Sequence, residues 1–160
     1  TGNGNGLIFG GTAIAGGIGA HPTQKEAKIF TWDMAKKEKL MERTVIPGVA
    51  EIWDMVWIPE NKLIGAADSM LFIFDLENNE VESIRNVQSE IIFNVIVSQD
   101  GWCYGNSEKL LFRFSKDLEQ FEEIDQRLSP PQFGRGLIES SDEKIYLGIG
   151  TDLYEPVRWR

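Results

Sequence analysis

His21 is the one imidazole in this sequence. Ahead of Pro22, in a stretch crowded with glycine, it could act as a general base, because histidine titrates near neutrality without help. As a lone loop histidine it otherwise reads as a surface residue. Asp54, Asn94 and Arg135 offer oxygen ligands for a hard cation such as Ca²⁺, or carbonyl, carboxylate and guanidinium groups for a sugar. The competing role for these three, and the preferred one, is hydrogen bonding between neighbouring structural units. Trp53 and Trp57 could stack on a saccharide, or else fill packing interfaces. Gly11 and Gly16 have the spacing of a phosphate-cradling loop that includes Thr12, but no Lys-Ser/Thr follows, so the anchoring charge is missing.

Other chemistries are excluded by residue type. Cys103 is the sole cysteine, which rules out an internal disulfide framework and a cysteine-cluster zinc site. One histidine cannot build a three-histidine metal site within one chain. There is no nucleophile elbow, no His-Glu-x-x-His and no recognisable carboxylate pair. Lys plus Arg total 16 against 25 Asp plus Glu, and a net charge of −9 repels phosphate backbones, which argues against nucleic acid as the main partner. With 160 residues, 42 % hydrophobic and 26 % charged, the chain is long enough for one domain with a core. Residues 6–20 fall short of the roughly 18 apolar positions of a spanning helix and lack a basic signal start, so no membrane segment is expected. The chain opens at Thr1, as a mature or excised product would, and the compartment stays open with a slight lean to secreted or cell-surface.

The elements that would position these residues repeat. Segments 60–75, 100–115 and 142–154 share one layout: a polar turn, a short apolar strand ending in glycine, a few small or polar residues, then an alternating aromatic strand. Gly65, Gly105 and Gly148 are 40 and 43 apart, and Phe72, Phe112 and Tyr154 are 40 and 42 apart. A fourth copy runs through Gly10 and Phe30, with an insertion of 13 residues inside 12–26 that restores the period when removed. Within one period, residues 91–97 read as a buried strand, 98–101 as a hairpin turn, and 102–104, 110–114 and 121–125 as three further strands. Residues 36–43 alone would pass for a helical turn, yet the runs of Phe, Val, Ile and Trp between Gly, Asn and Asp turns favour strands. The acidic runs 77–82 and 119–125 read as solvated outer strands that protect sheet edges.

Four-stranded units at 40- to 45-residue spacing are the signature of an all-β β-propeller. The chain resembles the broad group of bacterial propellers with quinoprotein-like or YVTN-like blades, through Asp100-Gly-Trp-Cys-Tyr-Gly105 and Leu71-Phe-Ile-Phe-Asp75. Trp32-Asp33 occurs once and becomes Phe74-Asp75 and Phe114-Ser115, a departure from the WD-repeat pattern. The resemblance implies about 3.5 to 4 blades in a single domain, near 1–47 (insertion 12–26), 48–88, 89–130 and 131–160. Closed propellers have roughly 4 to 8 blades. The chain is therefore expected to be part of a larger propeller, or a half-ring that pairs with a second copy, or a strained four-blade ring.

In such a ring the loop between second and third strands, and the connection to the next blade, emerge on one face. That face gathers Thr12, His21, Trp53, Asp54, Phe93, Asn94 and Arg135 as the candidate ligand site, joined by residues 129–133. Two functions follow: a non-catalytic ligand-binding or protein-interaction module, possible carbohydrate included, or part of a propeller polysaccharide lyase or hydrolase with a channel-mouth metal. No cofactor is expected on the first reading. Calcium belongs to the second.

Overall fold

The computed structural model describes residues 1–14, 24–88, 91–107, 110–125, 136–149 and 152–153. Its strands are β1 Leu7–Gly11, β2 Lys28–Asp33, β3 Glu38–Thr44, β4 Ile52–Ile58, β5 Lys62–Ala67, β6 Met70–Asp75, β7 Glu80–Asn86, β8 Ile92–Val97, β9 Cys103–Ser107, β10 Leu111–Phe114, β11 Phe121–Asp125, β12 Gly136–Glu139, β13 Ile145–Ile149 and β14 Asp152–Leu153. Among the described residues there is no helix, and the helix-compatible stretch at 36–43 is a turn followed by β3. The strands form four antiparallel sheets, β1-β2-β3, β4-β5-β6-β7, β8-β9-β10-β11 and β12-β13-β14, each a meander in chain order.

The turns explain the repeated aspartates. Asp75 closes β6, and its Oδ1 accepts the backbone N–H groups of Glu77 and Asn78 at 2.7 and 3.0 Å. Asp33 does the same for Ala35 and Lys36 at 2.9 and 3.0 Å. A short carboxylate one turn before a reversal satisfies amides the ladder leaves unpaired. Ser115 serves in the third sheet, its Oγ accepting the Gln120 N–H at 2.9 Å.

The repeated glycines have a steric cause. Gly10, Gly65 and Gly105 lie opposite Phe30, Phe72 and Phe112 in register. A Cβ on each would come within 2.2, 2.3 and 2.5 Å of the facing ring, so the aromatic occupies the side-chain space the glycine leaves. The fourth sheet departs from the sequence alignment here. The β12–β13 hairpin puts Leu147 opposite Leu137, as Gly105 stands opposite Val95, and Gly148 falls one position later. Among the described residues no ring covers Gly148, and a Cβ there would meet only the Gly136 carbonyl, at 3.7 Å. Tyr154 lies outside the described residues.

Alternation along each strand sends successive side chains to opposite neighbours. Phe9 and Ile29 of the first sheet pack with Leu63, Phe72 and Phe74 of the second. Ile64, Leu71 and Ile73 on its other side pack with Cys103, Phe112 and Phe114 of the third. Tyr104 and Leu111 then meet Leu137, Ile145 and Leu147 of the fourth. The sheets therefore stack like blades, with β4 beside β8 and β8 beside β12 at the inner edge. Along the inner edge of β1 runs a short bridge at Gly2, where the Phe9 N–H reaches the Thr1 carbonyl at 2.9 Å. Among the described residues no hydrophobic cluster joins the first sheet to the fourth.

Candidate functional site

Each complete blade begins with a bulge in its inner strand. In β4 the register slips between Ile52 and Asp54, leaving Trp53 as the extra residue; in β8 it slips between Ile92 and Asn94, leaving Phe93 extra. A bulge frees one side chain from the ladder and re-aims it. The two freed aromatics meet: Trp53 and Phe93 stand edge to face, centroids 5.4 Å apart at 84°. The Trp53 Nε1–H is buried and has no hydrogen-bond partner, and the same holds for Trp57.

Next to each bulge stands a polar residue. Asp54 accepts the Met55 N–H on Oδ1 at 2.8 Å and, across to the next blade, the Val95 N–H on Oδ2 at 3.0 Å. Burial raises its pKa above the usual carboxylate value, and the two backbone donors offset only part of that rise. With both oxygens engaged by backbone, Asp54 acts here as a joint between blades. Asn94, one repeat later, donates from Nδ2 to Asn106 Oδ1 at 2.9 Å. Asn106 and Ser107 are fully buried, and the Ser107 hydroxyl accepts the Leu110 N–H at 3.1 Å. Sequence reasoning passed over this buried polar pair. Its signal was two polar residues ending a strand that is otherwise apolar.

Thr12 follows β1 and is held by backbone bonds. Its N–H and hydroxyl bond Lys28, and its carbonyl accepts the Ile52 N–H at 3.1 Å as β4 starts. Asp68 repeats that link one blade on, its carbonyl accepting Ile92 N–H at 2.8 Å. The Asp68 carboxylate also accepts the N–H groups of Ala50 and Glu51 at 2.7 and 3.1 Å. Blade-to-blade connections are thus held by loop carbonyls. His21, Arg135 and residues 129–133 lie outside the described residues. So Trp53, Asp54, Phe93 and Asn94 come together, with Thr12 on the adjoining loop.

The opposite, hairpin-turn end carries two clefts that the sequence did not signal. One of about 250 Å³ opens between the first two blades, lined by Leu7, Phe9, Thr31, Leu76, Asn61 and Asn79 among others. A second of about 200 Å³ between the second and third is charged, with Glu60, Lys62, Glu82, Lys116 and Asp117 at its walls. Among the described residues no three of His, Cys, Asp and Glu converge as metal ligands would. Cys103 is buried and its thiol is pushed up to about 12, which leaves it unreactive as a nucleophile.

Antiparallel meanders of three or four strands, stacked side by side, make this an all-β chain of β-propeller blades. Among solved structures it is similar to the WD40 β-propeller domain of Doa1, with a TM-score of 0.63 and 13 % identity over 79 % of this chain. The match covers 42 % of that domain, so the chain spans about two fifths of it. At that identity the likeness is one of fold. No protein-family model and no curated protein matches the chain.

Proposed function

We propose that this chain is a non-catalytic binding module, one sector of a propeller whose ligand face is the one bearing the inter-blade connections. Within propellers we place it with the quinoprotein-like or YVTN-like bacterial group, on its Asp100-Gly101 turn and the Phe74-Asp75 strand end. The observation that carries the functional reading is the Trp53–Phe93 pair, two bulge-freed aromatics at the inner edge with an indole N–H lacking a partner. A half-buried indole at the inner edge, whose N–H is left without a partner, suits an oligosaccharide or an extended peptide. The lyase or hydrolase alternative needs a metal near Asp54 and Asn94, and the backbone bonds of Asp54 weigh against it.

Titration calorimetry with Ca²⁺ and an oligosaccharide panel, alongside the Trp53 indole N–H resonance, tests this. The expected result is no heat with Ca²⁺, and with an oligosaccharide or peptide both binding heat and a shift of that resonance, the binding heat being lost in Trp53→Ala. Ca²⁺ heat that disappears in both Asp54→Asn and Asn94→Ala overturns the reading in favour of the metal-dependent enzyme.

A further inference from the structure

The first sheet exposes outward the same positions that the second and third sheets bury. Counted from the glycine–phenylalanine pairs, Ile8, Phe30 and Trp32 hold the places of Leu63, Phe72 and Phe74 in the second sheet and of Cys103, Phe112 and Phe114 in the third. Those six are at most 1 % exposed, because the preceding blade covers them. Ile8 is 41 % and Trp32 36 % exposed. The other end of the stack shows the complementary face. Ile138 and Tyr146 of the fourth sheet pair with each other at the places of Ile96 and Tyr104, which in the third sheet pack toward the fourth. Ile138 is 62 % exposed.

We infer that the outer face of β1–β2 is a socket for the outer face of β12–β13 of a second copy of this chain. The joint is head to tail, and two copies make two such joints. The three joints inside the chain are its template: each sets the forward face of one sheet on the Ile8-type face of the next. Two copies supply eight blades, within the roughly 4 to 8 of closed propellers, and a head-to-tail contact that closes avoids filaments. The fold similarity also fits a ring larger than one chain, since the matched region covers 42 % of a propeller domain. The inference rests on the fold alone and is independent of what the loop face binds.

Light scattering coupled to size exclusion tests it on the whole chain. The expected mass is twice the 18.1 kDa of one chain. Ile8→Asp and, separately, Ile138→Asp each bury a carboxylate in both joints of a homodimer and should weaken it at least ~100-fold. Both side chains are exposed in the single chain, so far-UV circular dichroism should not change. Mixing the two variants restores one unmodified joint and should recover a heterodimer that neither forms alone. A wild-type mass of 18.1 kDa at every concentration, as expected if other blades of a longer chain fill the socket, overturns the inference. So does a dimer that survives Ile138→Asp but not Ile8→Asp, which would mean that two sockets face each other.

Discussion

Asp54 shows how a residue fit for metal or sugar chemistry can be taken up by structure. Its oxygens accept two backbone N–H groups, one of them 41 residues away in the next blade. Burial raises its pKa in the folded state above the 3.8 it holds when unfolded. The folded protein therefore binds that proton more tightly, so the group's stabilisation is complete below pH 3.8 and is lost as pH rises through the folded value. Asp54→Asn removes this titration and one of the two acceptors, a loss of about 1 kcal/mol. Urea unfolding from pH 3.5 to 7 should show the variant furthest below wild type at the acid end, with the gap narrowing as pH rises. A gap that widens with pH would contradict the assignment. Asp54, Asn94 and Trp53 were legible as special residues because polar and aromatic side chains open otherwise aliphatic inner strands. That Asp54 binds Val95, and that Trp53 meets Phe93, depends on contacts a full repeat apart.

At the scale of elements, the glycine of a blade's second strand leaves the space in which the facing ring of the third strand lies. Gly65→Ala would put a methyl 2.3 Å from the Phe72 ring and 3.0 Å from Met55, forcing both to move. Overpacking of this kind costs about 2–3 kcal/mol. Gly148→Ala meets nothing closer than 3.7 Å among the described residues and should change stability by less than about 0.5 kcal/mol. Chemical denaturation of the two variants side by side checks the contrast, and equal losses would restore Gly148 to the repeat. The spacing of Gly65 and Gly105 was readable because ring and glycine recur together. The slip at Gly148 was not, because hairpin pairing, not distance along the chain, decides which residue lies under the ring. The strand-ending aspartates were visible as letters, and their work as acceptors for turn amides emerged only with the turns themselves.

For the whole molecule, Ile8 and Trp32 of the first sheet and Ile138 of the fourth are exposed among the described residues, and mass action connects their burial to stability. If two copies join, the unfolding temperature should rise by about 2 °C for each tenfold increase in protein concentration, and the Ile138→Asp chain should show no such rise. Scanning calorimetry over a hundredfold range of concentration measures this, and a flat wild-type response speaks against the joint. The order of amino acids alone determined the period, the strands within it, the places of the turns and the acidic, helix-poor character of the chain, because all of these follow from neighbours a few residues apart. Only the tertiary structure decided which faces meet, which residue lies beneath each ring, that Thr12 and Asp68 hold successive blades together, and that Ile8, Trp32 and Ile138 stay uncovered. Such facts arise when whole sheets stack, and stacking joins residues forty positions apart whose pairing no local pattern specifies.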